Sequence, residues 1–248
     1  MPYIYGLIGF PLSHSFSPAY FRKKLAEQHT DAVYETFPLA SIDLFLKLLA
    51  EQPQICGLNV TIPYKESIIP FLHEIDSVAH NVGAVNCINL KDGIRKGYNT
   101  DVIGFEQSLI PLLESQHMQA LILGTGGSSK AVAYVLKQLG IPFQKVSREA
   151  DGTSLTYDAL SVDMIARHTL IINTTPLGMY PGIDSAPPIP YEAITTQHLL
   201  YDLIYNPEET KFLAEGKKYG AAIKNGFEML QLQAEAAWDI WTSGTVPE

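Results

Sequence analysis

Between Gln119 and Arg148 the chain reads QALILGTGGSSKAVAYVLKQLGIPFQKVSR. An apolar run gives way to a glycine turn. Val132, Val135, Leu136 and Leu139 then recur at helical spacing, and a second apolar run follows. That is the pattern strand, turn, helix, strand. Two strands joined by a helical crossover lie parallel in one sheet, and the connection is right-handed. Sheets of this kind are covered by helices on their faces, so the chain is expected to be an α/β protein.

The N-terminal part predicts a second such module. Residues 3–9 read as a strand, and Ser17 followed by Pro18 reads as the cap and first position of a helix running to about Gln28. A strand at 33–38 follows. SIDLFLKLLA places Ile42, Phe45, Leu46 and Leu49 on one face of a helix capped by Ser41, and a strand at 55–60 completes β-α-β-α-β. AVNCINLKDGIRKGYN then reads as a hairpin turning at Asp92-Gly93, which breaks the parallel pattern. A helix from about Val102 to Glu114 leads into the glycine-turn module. HTLIINTTPLG, HLLYDLIYNP and AAIKNG supply three further strands. FEMLQLQAEAAWDIW is a closing helix with Leu230, Ala234, Ala237 and Trp241 on one face. Topology alone sets the domain boundary, near residue 101. Residues 1–101 completed by 227–248 form one expected domain, and 102–226 the other.

Composition narrows the function classes. The 248 residues are 46% hydrophobic and 17% charged, an ordinary globular balance, with a net charge of -9. Nucleic acids and anionic membranes require a basic surface, so neither is expected as a partner. No apolar run reaches the roughly 18 residues of a membrane span, and MPYIYGLIGFPLSHS lacks the parts of a secretion signal. Cys56 and Cys87 show no CxxC spacing and read as small buried hydrophobes. These features predict a cytoplasmic protein. Of the seven histidines only His14 lies within a polar motif, and no HxxxH or His–Cys cluster occurs, so no metal is expected.

LGTGGSSKA follows a strand and opens a helix, the setting in which a glycine turn lays a pyrophosphate on a helix N-terminus. Gly124, Gly126, Gly127 and Ser128 would form that turn, although Ser129 stands where a third glycine is usual. A ligand-free turn is the bland alternative. The next strand ends in Ser147 and Arg148. An NAD or S-adenosylmethionine site wants an acid there, whereas an arginine accommodates a 2′-phosphate, so the pattern predicts NADP. Glu149 would oppose that phosphate if it pointed the same way. Asn173, Thr174 and Thr175 follow another strand, and read either as cofactor contacts or as a turn into Pro176.

GLNVTIPYKES, residues 57–67, opens as a strand and then carries Pro63 and Lys65. If Pro63 begins a helix, Lys65 occupies its first turn, near the carboxyl end of a strand, where open α/β sheets bind ligands. Lys65 and Asp101 are candidates for proton handling. Their bland alternatives are a solvated side chain and a helix cap.

GFPLSHSFSP, NVTIPYK, GAVNCI, GYNTDVIGF, GTGGSSKA, VSR, INTTPLGMYP, DLIYNP and NGFEMLQLQA together resemble, from end to end, the shikimate dehydrogenase family. That resemblance implies an N-terminal α/β substrate domain with a mostly parallel sheet, a Rossmann-type NADP-binding domain, and a cleft between them. It implies NADP-dependent interconversion of 3-dehydroshikimate and shikimate in aromatic amino acid biosynthesis, by a monomer or homodimer. Ser15 and Ser17 would bind the substrate carboxylate, Asn59 and Thr61 would line the pocket, and Asn86, Asp101 and Gln233 would meet ring hydroxyls. Lys65, paired with Asp101, would be the acid/base. Tyr205, on the substrate, with Asn206 beside it, and Gly226 and Met229, on the cofactor, fall where the nicotinamide end would lie; strand-end packing, a turn before Pro207, a helix-entry glycine and core are their bland alternatives. The residues agree with the resemblance: Gln233 sits on the apolar face of its helix and Asn86 in an apolar run, where an amide needs a partner. A free lysine is charged at neutral pH and Asp101 favours that charge, so a basic Lys65 requires desolvation. A quinate/shikimate dehydrogenase using NAD or NADP and a non-catalytic NADP-binding module are the competing readings.

Overall fold

The computed structural model describes residues 2–12, 16–149 and 152–243. The chain divides into two compact units, Met1–Thr100 with Gln233–Glu248, and Asp101–Leu232.

The first unit contains β1 (Tyr3–Gly9), α1 (Phe16–Glu27), β2 (Ala32–Pro38), α2 (Phe45–Glu51), β3 (Ile55–Val60), β4 (Glu74–Ile75), α3 (Ser77–Val82), β5 (Cys87–Lys91) and β6 (Ile94–Tyr98). Its sheet runs β2-β1-β3-β5-β6-β4. The β1, β2 and β3 strands are parallel, and the β5–β6 hairpin reverses direction. The reversal happens at Asp92 and Gly93, both at positive φ, as a tight hairpin turn of this hand requires. Alternation along β1 sends Ile4 and Ile8 to a core shared with Phe45, Leu58 and Ile68. Tyr5 and Leu7 face a second core with Phe21, Tyr34, Ala237 and Trp241.

The second unit holds α4 (Thr100–Leu109), which starts at the division, then β7 (Ala120–Leu123), α5 (Gly127–Gln138), β8 (Phe143–Ser147), β9 (Leu155–Thr156), α6 (Val162–Arg167), β10 (Leu170–Asn173), β11 (Leu199–Asp202), α7 (Lys211–Lys218) and β12 (Ala222–Lys224). Its sheet is parallel throughout, in the order β12-β11-β10-β7-β8-β9. The central strands β7, β10 and β11 are buried on both faces, which their continuous apolar runs anticipate. The last helix, α8 (Phe227–Ser243), contributes residues to both units.

Four local expectations are corrected. The segment at Ser41 opens with a 3-10 turn, Ile42–Leu44, before α2, and the tighter winding shifts the helical register, so Leu46 is 46% exposed while Phe45 is buried. No regular helix follows Pro63. The Lys65 carbonyl accepts from the Val85 N–H at 2.7 Å, which draws it away from a helical partner. Ser17 lies inside α1 rather than capping it, and Asp101 lies in the first turn of α4, which removes the cap alternative for it. Cys87 is buried, but Cys56 is partly exposed; both are free thiols.

The C-terminal half of α8 is fastened to the first sheet by Trp241. Its Nε1 donates to the Ile88 carbonyl at 3.0 Å, and its ring stacks on Tyr5 with centroids 5.0 Å apart. The indole occupies the space above Gly57, where a Cβ would lie 2.4 Å from Nε1. Asn89 adds a bond to the Ile240 carbonyl at 3.0 Å. Replacing Trp241 by Ala empties this site and removes the indole bond to the Ile88 carbonyl. The expected loss is about 3–5 kcal/mol of unfolding free energy, read by urea titration; a loss below about 1 kcal/mol would refute this anchoring role.

Candidate active site

Two buried polar clusters lie in the first unit. One joins α1, β2 and β3. Ser17 hydrogen-bonds the Tyr34 hydroxyl, which donates to Asn59 Oδ1 at 2.7 Å. Burial pushes the Tyr34 hydroxyl well above its ordinary range, so it remains a neutral donor. With its oxygen held by Tyr34, the Asn59 amide turns Nδ2 the other way, and this buried nitrogen has no protein partner. An unmet buried donor costs about 1–3 kcal/mol, a cost that an acceptor placed there would remove. Thr61 continues from the same strand end, with its N–H bonded to the Ile8 carbonyl at 2.9 Å. Ser15 lies outside the described residues.

The second cluster centres on Thr100. Its N–H donates to Asn86 Oδ1 at 2.7 Å, its hydroxyl accepts from Asn86 Nδ2 at 3.0 Å, and the same hydroxyl lies 3.4 Å from Gln233 Oε1. Asn86 and Gln233, distant in sequence and both predicted, are therefore brought to one residue that sequence reasoning missed. Asp101 follows Thr100 directly and is buried. Lys65 is half-buried on the turn after β3, its backbone tied to the segment that leads to Asn86.

In the second unit the predicted cofactor residues gather at the carboxyl ends of β7, β8 and β10. The Gly124 N–H donates to the Val146 carbonyl, which joins the ends of β7 and β8. Gly124 has φ of 113°, and a Cβ there would lie 2.6 Å from Thr174 Oγ1, so glycine is required twice over. Gly126 caps α5 with no side-chain bond, and the space above it is open. Gly127 and Ser128 supply that first turn. Ser129 is buried, and its hydroxyl donates to the Gly126 carbonyl at 2.6 Å, which explains how serine replaces the usual third glycine. Ser147 ends β8, followed by exposed Arg148 and Glu149. An open helix N-terminus beside a serine and an arginine fits a dinucleotide carrying an extra phosphate. Among the described residues, no group of three or more His, Cys, Asp or Glu could hold a metal, and no helix is long and apolar enough to cross a membrane.

Thr174 donates twice to the Leu123 carbonyl, from its N–H at 2.9 Å and its hydroxyl at 2.8 Å. Asn173 Oδ1 accepts from the N–H and hydroxyl of Thr175. Tyr205 is half-buried, with its hydroxyl pushed up by burial. The Gly226 N–H donates to the Ile204 carbonyl, and Met229 is buried one turn into α8. Asp202, also missed from sequence, closes β11 as a fully buried carboxylate. Burial raises its pKa from 3.8 to about 6, against the pull of hydrogen bonds from Thr210, Ile204 and Asn173. An acid ending the apolar run HLLYD was the available signal.

Residues 7–88 match the family model described as the shikimate dehydrogenase substrate binding domain. Shikimate dehydrogenase (NADP(+)) of Halothermothrix orenii is 40% identical over 269 residues, covering 99% of this chain and 92% of the relative. The same enzyme of Methanosphaera stadtmanae is 40% identical, covering 98% and 92%. Among solved structures, shikimate dehydrogenase of Aquifex aeolicus superposes with a TM-score of 0.87 at 33% identity, covering 99% and 94% of the two chains. The Thermus thermophilus enzyme, solved in complex with NADP(H) and shikimate, gives 0.86 at 28% identity, covering 99% and 95%.

Asp202 yields a test that needs no ligand. Its pKa is higher folded than unfolded, so between pH 3.8 and about 6 the folded state binds the extra proton. That contribution is full below the window and is lost as pH rises through it. Relative to Asp202→Asn, the wild-type protein should lose about 2–3 kcal/mol of stability across the window, measured by urea unfolding at both ends. A constant difference would mean that the carboxyl titrates normally.

Proposed function

The chain belongs to the shikimate dehydrogenase family, and on that premise we propose that it interconverts 3-dehydroshikimate and shikimate, with NADP(H) as redox partner. The observation that carries this reading furthest is the buried, unpartnered Nδ2 of Asn59, which awaits an acceptor on a small polar ligand. The unit Met1–Thr100 with Gln233–Glu248 binds the substrate, and Asp101–Leu232 binds the nucleotide. The free thiols of Cys56 and Cys87 are in keeping with a cytoplasmic enzyme.

Each residue contributes a binding, orienting or proton-handling role. Ser15 and Ser17 hold the substrate carboxylate. Asn59 and Thr61 line the pocket, while Asn86, Asp101 and Gln233 bind ring hydroxyls; Thr100 fixes the Asn86 amide by engaging both of its ends. Gly124, Gly126, Gly127 and Ser128 cradle the pyrophosphate, Ser147 and Arg148 select the 2′-phosphate, and Asn173, Thr174, Thr175, Gly226 and Met229 shape the remainder. Tyr205 serves the substrate. When bound, the nicotinamide supplies or takes up the hydride. The chain manages the accompanying proton: Lys65 gives one to the oxygen as the ketone becomes an alcohol, and takes it back in the reverse direction.

Purified protein should reduce NADP rapidly with shikimate, followed by absorbance of the reduced nicotinamide, and slowly or not at all with quinate or NAD. Lys65→Ala should lower kcat by about 10²–10⁴-fold while shikimate still binds. Arg148→Ala should raise KM for NADP about ten- to a hundredfold and leave weak NAD turnover unchanged. Equal turnover of quinate or NAD would instead indicate a broader quinate/shikimate dehydrogenase. Nucleotide binding without turnover would leave a binding module.

A further inference from the structure

Three segments of the second unit converge on Asp202. Its Oδ1 accepts from Asn173 Nδ2 at 3.1 Å and from the Ile204 N–H at 3.0 Å. Its Oδ2 accepts from Thr210 Oγ1 at 2.6 Å, at the start of α7. The two oxygens thus serve different ends: Oδ2 holds a helix cap, while Oδ1 faces the loop after β10 and the strand end after β11.

We propose that Asp202 is a positioning residue for the nucleotide site, fixing the Asn173–Thr175 loop against the glycine turn through the Asn173 amide. The proposal rests on reading that site as the NADP site. An amide side chain can present either end. With Nδ2 drawn to Asp202 at 3.1 Å and more weakly to the Leu177 carbonyl at 3.4 Å, Asn173 turns Oδ1 toward Thr175, accepting from its N–H at 3.0 Å and its hydroxyl at 2.7 Å. Thr175 Oγ1 in turn accepts from the Leu177 N–H at 3.2 Å, which closes the loop. Without Asp202 the flipped amide would set donor against donor at Thr175. Thr174, held in between, forms the wall of the glycine turn through its two bonds to the Leu123 carbonyl and its contact position beside Gly124. On the other side, Ile204, bonded to Asp202 by its N–H, offers its carbonyl to Gly226. One carboxylate therefore sets the orientation of one wall and links it to the glycine that opens α8.

Asp202→Asn can keep its one oxygen on Asn173 Nδ2 and the Ile204 N–H and turn its nitrogen to Thr210, so the decisive variant is Asp202→Ala, which removes both acceptor oxygens. It should speed hydrogen exchange at the Thr175 amide about tenfold and raise the Kd for NADP by a similar factor, with the Kd for shikimate unchanged. Asn173→Ala breaks the link from the other side and should reproduce both effects, while the double variant adds nothing further. Thr210→Val removes the Oδ2 partner and the cap of α7; it should lower the melting temperature but leave Thr175 exchange and NADP affinity alone. Unchanged exchange in Asp202→Ala would overturn the proposal, as would Thr210→Val reproducing both changes in proportion to lost stability. If the wild-type protein fails to bind NADP, the reading of the site fails, and the exchange measurements still decide whether Asp202 orients the loop.

Discussion

Parallel strand pairing is the constraint on which this structure rests. Parallel neighbours share a direction, so the chain must cross back over a face of the sheet between them, and the carboxyl ends of the strands collect along one edge. In the second unit that edge carries Gly124, Ser147, Asn173 and Asp202, each at or just beyond the last residue of its strand. In the first unit β1, β2 and β3 follow the same rule, and Asn59 and Thr61 lie where β3 ends. The β5–β6 hairpin departs from it, and the departure has a use: running antiparallel to β3, β5 starts beside the end of β3, so Asn86 just before it arrives next to Val60, whose N–H bonds its carbonyl.

At each of these edges a polar side chain is buried and then oriented by a neighbour. Tyr34 holds the oxygen of Asn59, Thr100 holds both ends of Asn86, and Asp202 holds the nitrogen of Asn173. A buried amide with one end held by a fixed partner cannot flip without leaving that partner unmet. These edges are therefore built in two layers, one of the groups proposed to face a ligand and another that decides which way they face.

Those layers differ in how legible they are. Strand and helix periods, the Asp92-Gly93 turn and the glycine turn at Gly124 depend on local sequence, and they locate nearly every element. The residues proposed to face a ligand stand in short polar motifs that interrupt apolar runs. The orienting residues carry no such mark: Tyr34 reads as one more core aromatic, and Thr100 and Asp202 as ordinary residues at element ends, because their partners are supplied by distant segments. The same reason explains two local misreadings. Lys65 stands on a turn because Val85, twenty residues away, claims its carbonyl, and Leu46 is exposed because a 3-10 turn precedes its helix.

The fit of Trp241 onto Gly57 bears on how such a sequence can change over time. The indole fills the room that any side chain at position 57 would need, and without the indole that room is a void. Neither position can be altered first without harm, since a larger residue at 57 collides with the ring and a smaller one at 241 leaves a hole. The two sites, 184 residues apart in the chain, form a mutational lock: single steps are closed, and the pair can drift only together.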